Sequence, residues 1–388
     1  MRITPFAVAI DDDQLLDLKL RLQHTRWPDA SSAQDWEDGA DLAFMQRLTQ
    51  FWRTEFDWRA QEAKLNELPQ YIAEQEGLAT HFVHQPGNGP NPYPLLIGHG
   101  WPGTGFDLRR IIPFLADPGR HGADPADAFD VIVPSLPGYG FSQRPDRPGI
   151  GPERVASMWV ELMTALGYER FGVQSGDWGA AVAMWLASGF PDRVSGIHLN
   201  FIPGFYRPPL GGDQPPLSTE EQTFLQEMTA WFEAEGGYHR LQSTKPQTAA
   251  YALADSPAGL AAWIVEKMRG WCDWHGSVEQ VFSLDDILTN VSIYWFTGTI
   301  GSSMRFYREN RIRPNHFGAG ERVLPPLGLA AFPGEPTPPR AWLERVFDVS
   351  RYTKMPYGGH FGAWEAPDLL AKEIREFFRP LRHGQSPR

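Results

Sequence analysis

Several features are scarce or absent in this chain of 388 residues. It has one cysteine, Cys272, which excludes an internal disulfide and a cluster of thiolate metal ligands. No apolar run is long enough to span a membrane. The longest uncharged stretch considered, residues 288–304, carries Thr, Asn, Ser and Gly throughout and is expected to form a buried helix. Because the N-terminus also lacks the apolar segment of a signal peptide, we predict a cytoplasmic protein.

Positive charge is also in deficit. Lys and Arg number 35 against 47 Asp and Glu, which gives a formal net charge of -12. This balance argues against nucleic acid and anionic membranes as partners, since both attract clustered positive charge. Aromatic residues are abundant instead, at 13% of the chain, and they predict a pocket or a domain interface lined with rings. Composition leaves a homodimer open.

Short apolar strands alternate with helices through much of the chain. Strands are predicted at residues 79–84, 94–99, 129–134, 170–174, 194–200, 327–332 and 349–355, and helices at 108–115, 154–166, 178–188, 260–268, 283–296 and 367–378, besides one that begins near Asp11. This alternation indicates βαβ units and therefore an α/β fold with a parallel sheet.

Four blocks follow from these patterns. We predict a mostly helical N-terminal segment at residues 1–90, a first part of the α/β core at 91–203, a helical insertion at 204–323 and a second part of the core at 324–388. A helical insertion of this kind resembles a lid over the carboxyl edge of the sheet, where such folds bind ligands.

Residues 98–103 read Gly-His-Gly-Trp-Pro-Gly, after a predicted strand and before a helix. This matches the G-x-G-x-x-G pattern of dinucleotide sites, but such sites need an acidic residue after the next strand, and that strand runs into Pro134 and Ser135. A structural tight turn and a backbone cradle for an anion are the other two interpretations.

The most specific motif lies at residues 173–181, Val-Gln-Ser-Gly-Asp-Trp-Gly-Ala-Ala. Small residues stand two before and two after Asp177, which is the spacing of a nucleophile elbow between a strand and a helix. The nucleophile position holds Asp rather than Ser, and the chain contains no G-x-S-x-G. The alternative role for Asp177 is to cap the helix that follows.

An aspartate nucleophile changes the chemistry. It is ionised at neutral pH and can displace at an sp3 carbon to give an alkyl ester, which leaves a histidine free to activate water. His360 suits that task because it lies on a glycine-framed loop after the last predicted strand. Glu335, just past a strand, could orient the imidazole. Asp348 is the rival for this role, although it precedes its predicted strand.

Together these motifs resemble those of epoxide hydrolases of the α/β-hydrolase superfamily, in the microsomal-type branch. The resemblance covers nearly the whole chain and rests on residues 25–29, 99–103, 177–179, 241–248, 255–257, 295–300 and 358–361. It implies a mostly parallel sheet with helices on both faces, a helical lid and an N-terminal meander. Animal members begin with a membrane anchor that is not seen here, so the chain is most similar to the soluble bacterial members.

The resemblance also implies a reaction, the conversion of an epoxide to a vicinal diol by water. Asp177 would form the covalent ester, and His360, oriented by Glu335, would activate water against it. Tyr238 and Tyr307 match the two lid tyrosines that protonate the epoxide oxygen, a task that suits a phenol with an ordinary pKa near 10. No metal or organic cofactor is expected.

Two further groups of residues complete the predicted site. The backbone N–H groups of Trp101 and Trp178 would form the oxyanion hole, with a cis Trp101–Pro102 bond. Aromatic residues crowd the lid and predict a roomy pocket for a bulky or aryl epoxide; the substrate-binding candidates are Trp231, Trp263, Trp295 and Phe296.

Three questions stay open at this level. A haloalkane dehalogenase shares the Asp elbow and the adjacent Trp, although the meander and the tyrosine pair favour the epoxide hydrolase. A non-catalytic ligand-binding protein on the same scaffold is the rival from another class. The substrate could be a natural-product intermediate or a compound to be detoxified.

Overall fold

The computed structural model describes residues 1–31, 35–75, 77–212, 214–273, 276–334 and 336–383. Within these residues, nine strands form one sheet. They are β1 (Arg2–Phe6), β2 (Gln70–Gln75), β3 (Leu78–Gln85), β4 (Tyr93–Gly98), β5 (Phe129–Pro134), β6 (Phe171–Ser175), β7 (Val194–Leu199), β8 (Val323–Ala331) and β9 (Phe347–Lys354). Each strand predicted from the sequence is present.

The order of the strands in the sheet is β1-β2-β3-β5-β4-β6-β7-β8-β9. Strands β1, β2, β3 and β5 pair antiparallel, and the pairs from β5 through β4, β6, β7 and β8 to β9 are parallel. The mostly parallel sheet therefore confirms the predicted α/β fold, with an antiparallel extension at one edge.

Helices surround the sheet. They are α1 (Asp12–Gln23), α2 (Leu42–Thr54), α3 (Trp58–Leu65), α4 (Ile112–Ala116), α5 (Pro152–Ala165), α6 (Asp177–Gly189), α7 (Thr219–Glu235), α8 (Gly237–Thr244), α9 (Pro246–Leu253), α10 (Pro257–Trp271), α11 (Leu284–Thr297), α12 (Ile300–Ile312), α13 (Arg340–Glu344), α14 (Gly362–Glu365) and α15 (Pro367–Phe378). Short 3-10 turns lie at Pro118–His121, Pro125–Asp127, Val278–Gln280 and Pro380–His383.

Both faces of the sheet are covered, as strand β4 illustrates. Leu96 packs in an apolar cluster with α5 and α6, whereas its neighbours Leu95 and Ile97 pack in a second cluster with α4 and α15. Successive side chains of a strand point to opposite faces, so a continuous apolar run is what a strand buried on both sides requires.

Two expectations need correction. The N-terminal block is helical in α1, α2 and α3, but it also contributes two strands that were not predicted, β1 and β2, which join the predicted strand β3 at the antiparallel edge of the sheet. Residues 288–304 are not one helix: α11 ends at Thr297, Gly298 adopts a left-handed φ of 61°, and α12 starts at Ile300. The break fits glycine, which enters this conformation without a Cβ clash. In the described part of the chain, no helix combines the length and apolar character needed to cross a bilayer.

Candidate active site

Asp177 lies where β6 gives way to α6, at the carboxyl edge of the parallel strands. Its φ is 44°, a left-handed value that is uncommon for a non-glycine residue and costs on the order of 1–3 kcal/mol. Such strain is concentrated at functional sites, because the surrounding structure must hold it in place. The conformation is the one expected for the predicted nucleophile elbow.

The glycines around the elbow are explained by close approach. A Cβ on Gly179 would lie 2.6 Å from the backbone carbon of Gly98, and a Cβ on Gly100 would lie 2.0 Å from Asp177 Oδ1. Larger residues would therefore separate the ends of β4 and β6 or push the Asp177 carboxylate out of place. The glycines at residues 98–103 thus serve the packing of the elbow, which favours the anion-cradle interpretation over a dinucleotide site.

The anion held by this cradle is the Asp177 carboxylate. Its Oδ1 accepts a hydrogen bond of 2.8 Å from the backbone N–H of Trp101, and the Trp101–Pro102 peptide is cis as predicted. The N-cap of α6 is Gly176, without a side-chain cap bond, so Asp177 occupies the first helical turn rather than the cap. The capping interpretation of Asp177 is therefore wrong.

His99 anchors the same loop from beneath. Its side chain is buried, and its Nε2 accepts a hydrogen bond of 3.0 Å from the backbone N–H of Leu136. Burial lowers the pKa of His99 to about 4, so the ring is neutral at physiological pH. His99 thus supports the loop structurally, because the lone pair of its Nε2 already accepts the hydrogen bond from the Leu136 backbone.

His360 faces the opposite side of the carboxylate. Its Nε2 lies 3.5 Å from Asp177 Oδ2, and both side chains are largely shielded from solvent. Its backbone N–H donates to the carbonyl of Trp271 at 2.9 Å, which ties the histidine loop to the end of lid helix α10. Gly359 is required there, because a Cβ would lie 2.6 Å from that same carbonyl oxygen.

The carboxylate of Glu365 fixes the loop further and was missed from the sequence. It accepts hydrogen bonds from the backbone N–H groups of Gly359, Phe361 and Asp273, at 3.0, 2.9 and 2.7 Å. Burial raises the pKa of Glu365 to about 7, against the opposing effect of these N–H donors and of His360. A glutamate five residues after the histidine, at the end of α14, is the signal that could have identified it.

Glu335, predicted to orient the imidazole, lies outside the described residues. Its rival Asp348 is the second residue of β9 rather than a residue before that strand, and it is exposed. The predicted start of the strand was thus two residues late.

Beyond Asp177 opens a cavity that we call the aromatic cavity. It is lined by Asp177, Trp178, Phe201, Ile202, Pro203, Gly204, Phe205, Met228, Trp231, Phe232, Tyr238, His239, Tyr307 and Pro336. The lining joins the elbow, the segment after β7 and the lid helices α7, α8 and α12. Both predicted acid donors, Tyr238 and Tyr307, thus share one cavity with the predicted nucleophile.

The two tyrosines pack against rings of the loop after β4 and of the elbow. Tyr238 stacks on Trp101 with ring centroids 5.3 Å apart and an interplanar angle of 11°. Tyr307 meets Trp178 edge to face at 4.6 Å, and the two tyrosine rings are 6.0 Å apart. Burial, together with Tyr238 and Asp177, raises the pKa of Tyr307 well above its usual value of 10, so its phenol stays protonated.

Comparison with known proteins identifies the family of this chain. The family model described as "Epoxide hydrolase N terminus" matches residues 3–108, and that of the alpha/beta hydrolase fold matches residues 93–258. A relative from Stigmatella aurantiaca, provisionally named an epoxide hydrolase, is 46% identical over 98% of this chain and 86% of its own length. Epoxide hydrolase 1 of Oryctolagus cuniculus is 38% identical over 97% and 88%. The chain belongs to the epoxide hydrolase family.

The solved structures agree. The Aspergillus niger epoxide hydrolase superposes with a TM-score of 0.85 at 30% identity and covers 98% of this chain and 97% of its own. The α/β-hydrolase fold and the identification as an epoxide hydrolase are thereby confirmed. Family membership also decides against the haloalkane dehalogenase and the non-catalytic protein that the Asp177 elbow had left open.

The aromatic cavity of this epoxide hydrolase contains only part of the predicted substrate-binding set. Trp231 lines it. Trp263 instead hydrogen-bonds Gln242 through its Nε1 at 2.9 Å. Trp295 lies under the guanidinium of Arg21, and Phe296 packs on Trp58 of the N-terminal segment; these two and Trp263 are absent from the described cavity lining.

Other aromatic residues line the cavity in their place, and they lie in two parts of the chain. Phe201 and Phe205 follow β7, and a position after a parallel strand is a signal that could have identified them. Phe232 and His239 lie on the lid helices beside Trp231 and Tyr238, and only the rotation of those helices brings them to the cavity. Burial lowers the pKa of His239, which favours its neutral ring beside Tyr307.

A second cavity, which we call the polar cavity, lies on the His360 side of the nucleophile. It is lined by Gly98, His99, Gly100, Trp101, Gly103, Asp107, Leu108, Gln174, Gly176, Asp177, Asn200, His360, Phe361, Gly362, Ala363 and Trp364. The one residue that lines both cavities, among those described, is Asp177. Its carboxylate therefore stands at the boundary between an aromatic and a polar compartment.

Proposed function

We propose that this epoxide hydrolase works in two steps that use the two cavities in turn. In the first, an Asp177 carboxylate oxygen attacks one ring carbon of an epoxide in the aromatic cavity. The ring C–O bond breaks, and the oxygen takes a proton from Tyr238 or Tyr307. The product of this step is an alkyl ester on Asp177, with the second hydroxyl already formed.

In the second step water attacks the ester carbonyl carbon and gives its proton to His360. The N–H of Trp101 and the N–H of Trp178 hold the oxyanion that develops. When the intermediate collapses, the ester C–O bond breaks, the diol leaves, and the proton on His360 passes to the leaving oxygen. The carboxyl group of Asp177 then loses its proton, and the phenol that was deprotonated in the first step regains one, which restores the starting state. Trp178 suits this role because it lies in the first turn of α6, where backbone N–H groups have no partner within the helix.

The single observation that carries the proposal is the surroundings of the Asp177 carboxylate. One oxygen accepts from the Trp101 N–H at 2.8 Å and the other lies 3.5 Å from His360 Nε2. The donors for the oxyanion and the base for the water are thus held against the group that becomes the ester, while two phenols line the cavity beyond it. Glu335 as the orienting carboxylate rests on its place after β8 and on the family resemblance.

The substrate we infer is a bulky or aryl epoxide. Rings from Trp178, Phe201, Trp231 and Phe232 line the aromatic cavity, and walls of this kind suit an apolar or aryl group on the epoxide. A natural-product intermediate or a compound to be detoxified would both satisfy this description. The cytoplasmic location rests on the single cysteine, and the homodimer stays a prediction.

A panel of substrates tests this proposal. Purified protein is incubated with terminal, aryl and bulky epoxides and, in parallel, with chloroalkanes of matched size, and diol, chloride and product chirality are measured. We expect diol from the epoxides, with the highest kcat/KM for an aryl or bulky member. Chloride release without diol, or a preference for the smallest epoxide, would contradict the reaction and the substrate class, respectively.

A further inference from the structure

The polar cavity contains a carboxyl group that the two-step scheme does not use. Asp107 lies on the turn that follows Trp101 and Pro102, and its side chain lines the same cavity as Asp177 and His360. The residue is half-buried, but its carboxyl oxygen Oδ1 is shielded from solvent and, among the described residues, no donor reaches it. A buried carboxyl oxygen without a donor is costly, so its presence calls for an explanation.

The neighbouring polar side chains are already committed. His99 accepts from the backbone N–H of Leu136 at 3.0 Å. Gln174 donates to Asn200 at 2.9 Å, and Asn200 in turn lies within 3.5 Å of the carbonyl of His360. Of these polar groups beside His360, Asp107 Oδ1 is the acceptor that receives no hydrogen bond from the described residues.

We propose that Asp107 holds the hydrolytic water, so that Oδ1 accepts a hydrogen bond from one proton of the water while His360 Nε2 accepts the other. The water oxygen is then directed at the carbonyl carbon of the Asp177 ester. Asp107 takes no proton in this step: the proton that leaves the water goes to His360 and then to the departing alkoxide. The inference rests on the proposed ester mechanism and adds a water-binding residue to it.

The electrostatics fit this role. Burial raises the pKa of Asp107 to about 8, with Asp177 acting in the same direction and His360 and nearby backbone N–H groups opposing it. At neutral pH the group is therefore mostly uncharged and does not repel the carboxylate of Asp177. A neutral carboxyl keeps a carbonyl oxygen that accepts a hydrogen bond, which is all that the water requires.

Asp107→Leu and Asp107→Asn separate the acceptor from the shape of the side chain. Leu removes the oxygens, whereas Asn keeps one carbonyl oxygen. Single-turnover stopped flow, followed by tryptophan fluorescence and by quenched samples, gives separate rate constants for ester formation and ester hydrolysis. We expect Asp107→Leu to slow hydrolysis about 10- to 100-fold and to leave ester formation within about threefold, while Asp107→Asn stays within about threefold in both.

A structural role would give a different pattern. As the control, Asp127→Leu removes another buried carboxylate, one paired with Arg379 outside both cavities. It should lower the melting temperature and leave the ratio of the two rate constants unchanged. If Asp107→Leu does not fold, Gly103→Ala replaces it, because the new Cβ would lie 2.2 Å from Asp107 Oδ2 and would displace the carboxyl. That variant should also slow hydrolysis selectively.

Several results would overturn the inference. They are unchanged hydrolysis in Asp107→Leu or, where that variant does not fold, in Gly103→Ala; an equal loss in Asp107→Asn and Asp107→Leu; and an equal slowing of both steps. These outcomes are distinct from a failure of the proposed function, in which the wild type would form no ester at all.

Discussion

The two cavities that meet at Asp177 differ in what their walls can do. The aromatic cavity offers rings and two phenols, which suit an apolar epoxide and the protonation of its oxygen. The polar cavity offers His360 and Asp107, which suit a water molecule and its activation. Because Asp177 lines both cavities, the proposed ring opening can take place on its aromatic side and the proposed ester hydrolysis on its polar side.

Removing the base from the polar cavity should have the largest effect, because it should stop one of the two steps and leave the other. In His360→Gln, attack by Asp177 needs no base and should continue, whereas ester hydrolysis should fall on the order of 10⁴-fold. Intact mass spectrometry should then find one substrate mass on the protein, in the peptide that contains Asp177. Loss of ester formation in this variant would show that the two cavities do not act separately.

Removing the phenols tests the aromatic cavity. Tyr238→Phe and Tyr307→Phe should each slow ester formation partially, because the remaining phenol still donates to the oxygen. The double variant should lose on the order of 10²–10³-fold. Hydrolysis of an ester formed beforehand should be unaffected in all three, as measured by stopped flow with a second mixing step. A double variant that alkylates at the normal rate would exclude the lid tyrosines as acids.

The wall of the aromatic cavity should affect binding more than chemistry. Trp231→Ala removes a lining ring and should raise KM for an aryl epoxide about 10-fold, with ester hydrolysis within about threefold. Trp295→Ala is the matched control, since that ring faces Arg21 rather than the cavity. It should leave KM unchanged. Equal effects of the two substitutions would show that the cavity is not where substrate binds.

Low pH should lower the stability of the protein through His99, which supports a loop of the polar cavity. His99 has a folded-state pKa of about 4, below the ordinary value of 6.5, so the unfolded state binds the proton first and stability is lost as the pH falls from 6.5 towards 4. The melting temperature should therefore drop by several degrees over this interval. His99→Gln should flatten part of the slope, and the exposed His316→Gln should not. A slope unchanged in His99→Gln would contradict this account.

Local motifs were predictable because they depend on neighbours in sequence. The small residues around Asp177 predicted the elbow, and the strand ends predicted that Trp101, Asp177 and His360 would meet at one edge of the sheet. Strands β1 and β2 were missed because their patterns are weak: β1 contains Pro5, and β2 places Tyr71 and Ile72 side by side instead of alternating apolar with polar residues.

The lining of the cavities could not be predicted in the same way. Three tryptophans of the helical insertion cannot be told apart by residue type: of Trp231, Trp263 and Trp295, only Trp231 is in the described lining of the aromatic cavity. Which side of a lid helix faces Asp177 depends on how the helices pack on each other and on the N-terminal segment. Asp107 and Glu365 were missed for a related reason, since their importance comes from burial beside His360 rather than from a motif.

The most direct test of the division between the cavities is the origin of the oxygen added to the epoxide. A single turnover in ¹⁸O-water with enzyme in excess should give a diol with little label, because that oxygen comes from the carboxylate of Asp177. The label should appear instead in the peptide that contains Asp177, after water has attacked the ester carbonyl. Label entering the diol directly in the first turnover, with none in that peptide, would contradict the account, because water would then attack the epoxide itself.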